Sequence, residues 1–378
     1  MLWHILSDYR IFTFTICILM NTFLRFFLII LCIPTVIFGQ NKPEVKHPKN
    51  IILLIGDGMG VGQIYAGLTA NKGKLNLERS QFIGFHKNQA SDEYVTDSGA
   101  GATAFAIGKK TYNGAIGVDS AKKSLPTILE IAEKHGLATG LLATCSITHA
   151  TPASFIAHQP SRSMDEEIAA DFLKTDIDVF IGGGRKYFAN RKDGKNLIDS
   201  LKTRKYQIAN SIAEVEKVST GKLAAFLAEE QQPKISEGRG EELLKSTKVA
   251  LNILKQNKKG FFVMIEGSQI DWGGHANDTE YVINEMLDFD KVIGEAIDFA
   301  QKDGNTLVII TADHETGGLA ITGGDMKTGK VEAKYVTKGH TGVMIPVFAF
   351  GPGAEAFSGI YQNNDIFQKM LKAFSFKN

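Results

Sequence analysis

A chain of 378 residues, 44% hydrophobic and 22% charged, has ordinary globular composition and enough length to bury a large core. Its 42 basic residues balance 41 acidic ones, and the formal net charge of +1 implies no broad basic face, which argues against a nucleic-acid partner. With 9 prolines against 38 glycines, the chain favours tight backbone turns over disordered proline-rich linkers.

Residues 11–38 are almost wholly apolar, interrupted by threonines, Asn21 and Arg25. Arg25, the apolar run 26–33 and then Gly39-Gln40 read as a secretory leader over 1–39, cleaved near Gly39. Met20 is then an alternative start. The expected location is periplasmic or extracellular. The other reading is an uncleaved anchor, for which about 20 apolar residues suffice. Cys17 and Cys32 fall in the leader, leaving Cys145 alone in 41–378. An exported chain with one cysteine has no internal disulfide, so a large core or bound metals must hold it.

Beyond Asn41, short apolar runs alternate with helical patterns. Residues 51–55 end at Gly56-Asp57, and 138–145 end at Ser146-Ile147-Thr148-His149. Val179-Phe180-Ile181 ends at Gly182, and 261–265 end at Glu266-Gly267. Residues 307–310 end at Thr311-Ala312-Asp313-His314, and 345–350 at Gly351. Continuous apolar runs of this length read as strands buried on both faces. Val282, Ile283, Met286, Leu287, Val292, Ile293, Ala296 and Ile297 keep the spacing of an amphipathic helix. The expected fold is α/β, a doubly wound, mostly parallel central sheet with helices on both faces. One domain over 41–378 is expected, with the Lys-, Glu- and Ser-rich stretch 185–240 as a polar surface excursion.

The stretch Thr96-Asp97-Ser98-Gly99-Ala100-Gly101-Ala102-Thr103-Ala104 is built almost entirely of small side chains. Asp97 or Ser98 can begin a helix whose free N–H groups and positive dipole end favour an anion. Two readings stand side by side here: a close-packed helix capped by a serine, and an anion site with a nucleophile.

In open α/β sheets, ligands bind beyond the carboxyl ends of the strands. That rule selects Asp57, Thr148–Thr151, Glu266 and Asp313-His314. Asp271 and His275 add a carboxylate and an imidazole at i and i+4, and His340 adds another imidazole in a glycine-flanked loop. Mixed His/Asp ligation suits zinc or a similar ion, whereas carboxylate with hydroxyl suits magnesium. Asp57, Glu266, Asp271 and Asp313 brought together without cations would repel by several kcal/mol per charge, as an order of magnitude. Their convergence implies several divalent ions, and a pair roughly 3.5–4 Å apart is the standard clamp for phosphoryl displacement. Gly182-Gly183-Gly184-Arg185 lacks the ending of a nucleotide P-loop and reads as a turn. His86 and His158 have no paired carboxylate and read as packing or capping residues.

These residues carry a family resemblance. The sequence resembles alkaline phosphatases from about Asn50 to Phe367, on Leu54-Ile55-Gly56-Asp57-Gly58-Met59-Gly60, Thr96-Asp97-Ser98, Lys110-Thr111-Tyr112-Asn113-Gly114-Ala115, Thr148-His149-Ala150-Thr151-Pro152-Ala153, Glu266-Gly267-Ser268-Gln269-Ile270-Asp271, Thr311-Ala312-Asp313-His314-Glu315 and Gly339-His340-Thr341. The resemblance implies phosphate monoester hydrolysis through a phosphoserine at Ser98. It implies two Zn2+ and one Mg2+. Asp271, His275 and His340 match the ligands of one zinc. Asp57, Asp313 and His314 match those of the second, which also holds the Ser98 oxygen. Asp57, Thr151 and Glu266 match the magnesium site, and Arg162 matches the arginine that grips phosphate.

Two positions depart from the best-known bacterial pattern. His149 stands where that pattern has Asp, as a third-site ligand or an orienter of its waters, and Trp272 stands where it has Lys. Small phosphate monoesters are the implied substrates, and a homodimer is in keeping with the family. Membrane contact is expected only if the leader is retained. The alternatives are another superfamily enzyme, such as a phosphodiesterase, and a non-catalytic phosphate- or metal-binding surface protein. A sulfatase is disfavoured because Ser98-Gly99-Ala100-Gly101-Ala102 lacks the C/S-x-P-x-R pattern.

Overall fold

The apolar runs become the central strands of a ten-stranded sheet in the computed structural model, which describes residues 47–376. The leader expected over 1–39, with its alternative start at Met20, lies outside the described residues. In chain order the strands are β1 (Asn50–Gly56), β2 (Phe82–Lys87), β3 (Ala138–Ser146), β4 (Val179–Gly183), β5 (Tyr206–Ala209), β6 (Lys222–Phe226) and β7 (Phe261–Gly267). They continue with β8 (Thr306–Thr311), β9 (Glu315–Thr316), β10 (Ala320–Asp325), β11 (Lys330–Lys334), β12 (His340–Thr341), β13 (Ile345–Phe350) and β14 (Gly359–Gln362). Across the sheet the order is β14-β2-β13-β8-β1-β7-β3-β4-β6-β5.

Strand β1 lies parallel to both β7 and β8, and the parallel pairing continues through β3, β4, β6 and β5. Strand β13 runs antiparallel to its neighbours β8 and β2. The alternation along β1 explains its unbroken hydrophobicity. Ile51, Leu53 and Ile55 enter one core while Ile52 and Leu54 enter the other. Phe262 and Met264 of β7 join the first core, and Phe261, Val263 and Ile265 the second. The helices Ser98–Ile107, Ile128–Lys134 and Asp365–Ala373 cover the first face. The helices Val61–Ala70, Glu242–Leu254 and Thr279–Asp303 cover the second. The sheet is therefore doubly wound and mostly parallel. No helix among the described residues is long and apolar enough to cross a membrane.

The stretch 185–240 departs from the surface excursion expected of it. It supplies β5 and β6, which extend the sheet past β4, and buries Phe188, Leu201, Leu223 and Phe226. Phe180 of β4 is ringed by Phe172 at 4.9 Å, Tyr206 at 5.8 Å and Phe226 at 5.9 Å between ring centroids. The reason is scale: strands of four and five residues bury too few positions to stand out in a Lys- and Glu-rich background. His86 packs as expected, whereas His158 has a carboxylate partner that its sequence neighbourhood does not reveal. His86 is buried with Nε2 at 2.9 Å from the Ala312 carbonyl, and burial holds its pKa down at about 4. His158 binds the Gly117 carbonyl and Glu130.

Four neighbouring strands, β8-β1-β7-β3, run side by side with their carboxyl ends at one edge. Asp313-His314, Asp57, Glu266 and His149–Thr151 follow or end these strands. If β5 and β6 belong to the core, Phe180→Ala should destabilise the fold by about 3–5 kcal/mol. Urea midpoints of wild type and variant at constant slope measure this. A cost within about 0.5 kcal/mol, as for ordinary surface substitutions, would return 185–240 to the surface.

Candidate active site

Ser98 is the first residue of the helix Ser98–Ile107, and Asp97 caps it by accepting a 2.8 Å hydrogen bond from the Ala100 amide. The helix is buried along its whole length. A Cβ on Gly101 would lie 3.0 Å from the Asp313 Cβ, and one on Gly99 would lie 3.0 Å from the Ala115 carbonyl oxygen. Small residues therefore let the helix pack directly on the chain that carries Asp313. Ser98 Oγ ends 3.1 Å from His314 Nε2.

Two groups of ligating side chains assemble around this hydroxyl: Asp57 with Asp313 and His314, and Asp271 with His275 and His340. Each imidazole has its Nδ1 engaged by the protein. His275 Nδ1 donates to the Lys338 carbonyl at 2.5 Å, and His340 Nδ1 to the Thr96 carbonyl at 2.8 Å. Thr316 Oγ1 donates to Asp271 Oδ1 at 2.5 Å and so must accept from His314 Nδ1, 3.2 Å away. All three histidines therefore turn Nε2 inward. Such pinning fixes the tautomer of a metal-ligating histidine. His314 Nε2 lies 3.3 Å from Asp313 and 3.4 Å from Asp57, while His275 and His340 hold their Nε2 atoms 3.2 Å apart. Gly58, at φ +71°, allows the closest approach here. A Cβ on it would sit 2.7 Å from Thr316 Oγ1 and 2.8 Å from the Asp271 Cα.

The electrostatics set the charge balance of the cluster. Burial raises the Asp57 carboxyl well above its ordinary range, reinforced by the charges of Asp313, Asp271 and Glu266. Burial likewise raises Asp313 to about 6 and Glu266 to about 7. Burial holds His314 and His340 down at about 4. In Asp271, burial is outweighed by the hydrogen bond with His275 and the nearby imidazoles, so its carboxyl stays low. That hydrogen bond raises His275 to about 9. Both oxygens of Asp57, Oδ2 of Asp313 and Oε1 of Glu266 are buried without a hydrogen-bond partner. Leaving such groups unpaired costs several kcal/mol each, to order of magnitude. The inward Nε2 atoms, once His275 gives up the proton it shares with Asp271, and the bare carboxylate oxygens beside them are a donor set that fits divalent cations.

A further group joins Cys145, His149 and Glu266. Thr151 Oγ1, fully buried without a partner, stands with the other orphaned oxygens of the expected third site. His149 meets Arg162, whose Nη2 lies 3.3 Å from His149 Nε2 and whose Nη1 binds Asp97 Oδ2 at 2.9 Å. Trp272 is half-buried with its ring edge-on to His149 at 6.2 Å. The candidate ligands at the strand ends and on Asp271, His275 and His340 thus gather around Ser98, whereas Thr148 turns its hydroxyl to Ser146 and Asp165. Three participants carried no motif signal on their own: Thr316, Asp97 as partner of Arg162, and Cys145. For Thr316 a signal existed, because i and i+2 share a face in extended chain and place it beside His314.

A family model described as alkaline phosphatase matches residues 48–335. The chain belongs to the alkaline phosphatase family. Alkaline phosphatase 3 of Bacillus subtilis is 35% identical over 423 aligned positions, which cover 89% of this chain and 91% of that one. The solved alkaline phosphatase of the Antarctic bacterium TAB5 is 44% identical with a TM-score of 0.84, covering 89% of this chain and 100% of that chain. A His-to-Glu variant of the TAB5 alkaline phosphatase, equally similar at 44% and 0.84 over the same shares, has Mg bound in its M3 site. Membership makes this chain an enzyme.

If Thr316 orients ligands of both His/Asp groups, Thr316→Val should weaken divalent-ion binding by about 10–100-fold, and Thr316→Ser should restore it. Metal retained per chain across a chelator titration reads this directly. Equal retention by the valine variant would remove Thr316 from the site.

Proposed function

We propose that this enzyme hydrolyses phosphate monoesters through a phosphoserine at Ser98. The reading is carried by one observation, the Ser98 hydroxyl at the open end of a buried helix, 3.1 Å from a ring nitrogen of a His/Asp group. Asp271, His275 and His340 would hold one zinc-like ion, Asp57, Asp313 and His314 a second, and Asp57, Thr151 and Glu266 a third divalent ion. Bound there, such ions neutralise the carboxylates, lower the pKa of a hydroxyl or water and stabilise the leaving oxygen.

The remaining work falls to the chain itself. Amide groups at the helix start favour a dianionic phosphate beside Ser98. Arg162 is an arginine with one nitrogen already fixed, and Asp97 supports it from behind. Burial alone would lower the guanidinium pKa, but the Asp97 carboxylate outweighs that and keeps it charged. Its fork can grip two phosphate oxygens, a task suited to a guanidinium. In the first step, Ser98 Oγ bonds to phosphorus as the bond to the alcohol oxygen breaks. The alcohol departs with the serine's proton. In the second step, water cleaves the phosphoserine, yielding inorganic phosphate and restoring the hydroxyl. Export is part of the same proposal, on the apolar run 26–33 behind Arg25.

Ser98→Ala should lower monoester turnover by at least about 10³-fold and abolish a phosphate-mass adduct on the chain. Undiminished turnover of an aryl phosphate by this variant would refute the nucleophile. Chelation should abolish activity and release of bound divalent ions should accompany it; activity indifferent to chelators would refute the cation sites. A monoester should be turned over faster than a diester with the same leaving group, and the reverse order would favour the phosphodiesterase reading.

A further inference from the structure

Beside the oxygens expected of the third site, the chain places a thiol and an imidazole. Cys145, near the end of β3, buries its thiol with Sγ 3.4 Å from Glu266 Oε2. That oxygen already accepts a 2.7 Å hydrogen bond from the Ser268 hydroxyl. Glu266 Oε1 is left bare, and so are Thr151 Oγ1 and His149 Nδ1, all buried without a partner. Ligating atoms of Cys145, His149 and Glu266 lie within 4.8 Å of one another. The thiol's other contact is 3.3 Å to the Ser146 carbonyl.

We infer that Cys145 is a ligand of the third site and makes it selective for a thiophilic divalent cation over magnesium. This rests on the proposed reading of the crevice as a multi-cation site. Magnesium demands near-octahedral oxygen ligation and keeps its waters, whereas sulfur, imidazole and carboxylate together select zinc-like ions. Coordination exchanges the thiol proton for the cation, and that proton leaves to solvent. A cation on His149 Nδ1 turns Nε2 into a donor. The 3.3 Å contact with Arg162 is then released, freeing Nη2 while Nη1 stays on Asp97.

The test uses the full chain, stripped with a chelator and reloaded with Co2+ alone. Wild type should bind a third cobalt and show a near-ultraviolet thiolate-to-cobalt charge-transfer band. Cys145→Ser, close in size to the native residue, should lose the band and keep the visible absorption of the two His/Asp groups. Its preference for Zn2+ over Mg2+ at the third site should fall by at least about 10-fold, since even losing an outer partner costs that much. A cobalt-loaded wild type without the band, or a serine variant with unchanged metal preference, would overturn the inference and leave the multi-cation reading intact. A chain that binds no cobalt at any site would overturn both.

Discussion

Four carboxylates forced into one buried crevice set the terms for the rest of this structure. Asp57, Glu266, Asp271 and Asp313 are each 5% exposed or less, too buried for water to screen them from one another. Three of them are pushed toward the neutral acid, and only Asp271, with an imidazole bonded to it, is held ionised. Parallel pairing makes the crowding unavoidable, because adjacent parallel strands deliver their carboxyl ends to the same edge about 4.8 Å apart. What tolerates it is the stiffness of the surroundings. Both faces of β1, β7 and β8 are sealed by apolar cores, so the strand ends cannot splay to separate the charges. A close-packed interior with two such layers transmits strain rather than relaxing it. Divalent cations held as proposed above would relieve that strain, and the surrounding groups fit such an outcome. Each histidine has one nitrogen fixed by the protein and the other turned inward.

The same reasoning explains what could be read from the amino-acid order. A strand buried on both faces needs apolar residues at every position, so β1, β7 and β8 stand out as unbroken runs. The ligands that follow such strands are then located by the strand-end rule. Direction is another matter: the run 345–350 has the same composition whether it pairs parallel or antiparallel, and β13 proves antiparallel. Strands β5 and β6 were hidden because four or five residues at a sheet margin bury too little to outweigh polar neighbours. Roles that depend on contact between distant positions were hidden for a different reason. Arg162 and Asp97 are 65 positions apart, and Thr316 and Asp271 are 45 apart. No local pattern encodes those distances; the fold creates them.

The helix that begins at Ser98 shows how packing and chemistry join. A run of small residues invites two explanations, close packing or space for a ligand, and they seem to compete. Here packing is the means by which the hydroxyl is placed. Gly101 lies against Asp313 and Gly99 against the turn at Ala115, with room for no more than a hydrogen at either contact without displacement. Those two contacts fix the height of the helix above the ligand-bearing chain. That height in turn sets the 3.1 Å between Ser98 Oγ and His314 Nε2. A larger side chain at Gly101 would press on the segment that carries both Asp313 and His314, which would have to give by a few tenths of an ångström beside Ser98. The glycines thus act through the backbone distance they permit, and the serine's geometry is a property of the whole helix seat.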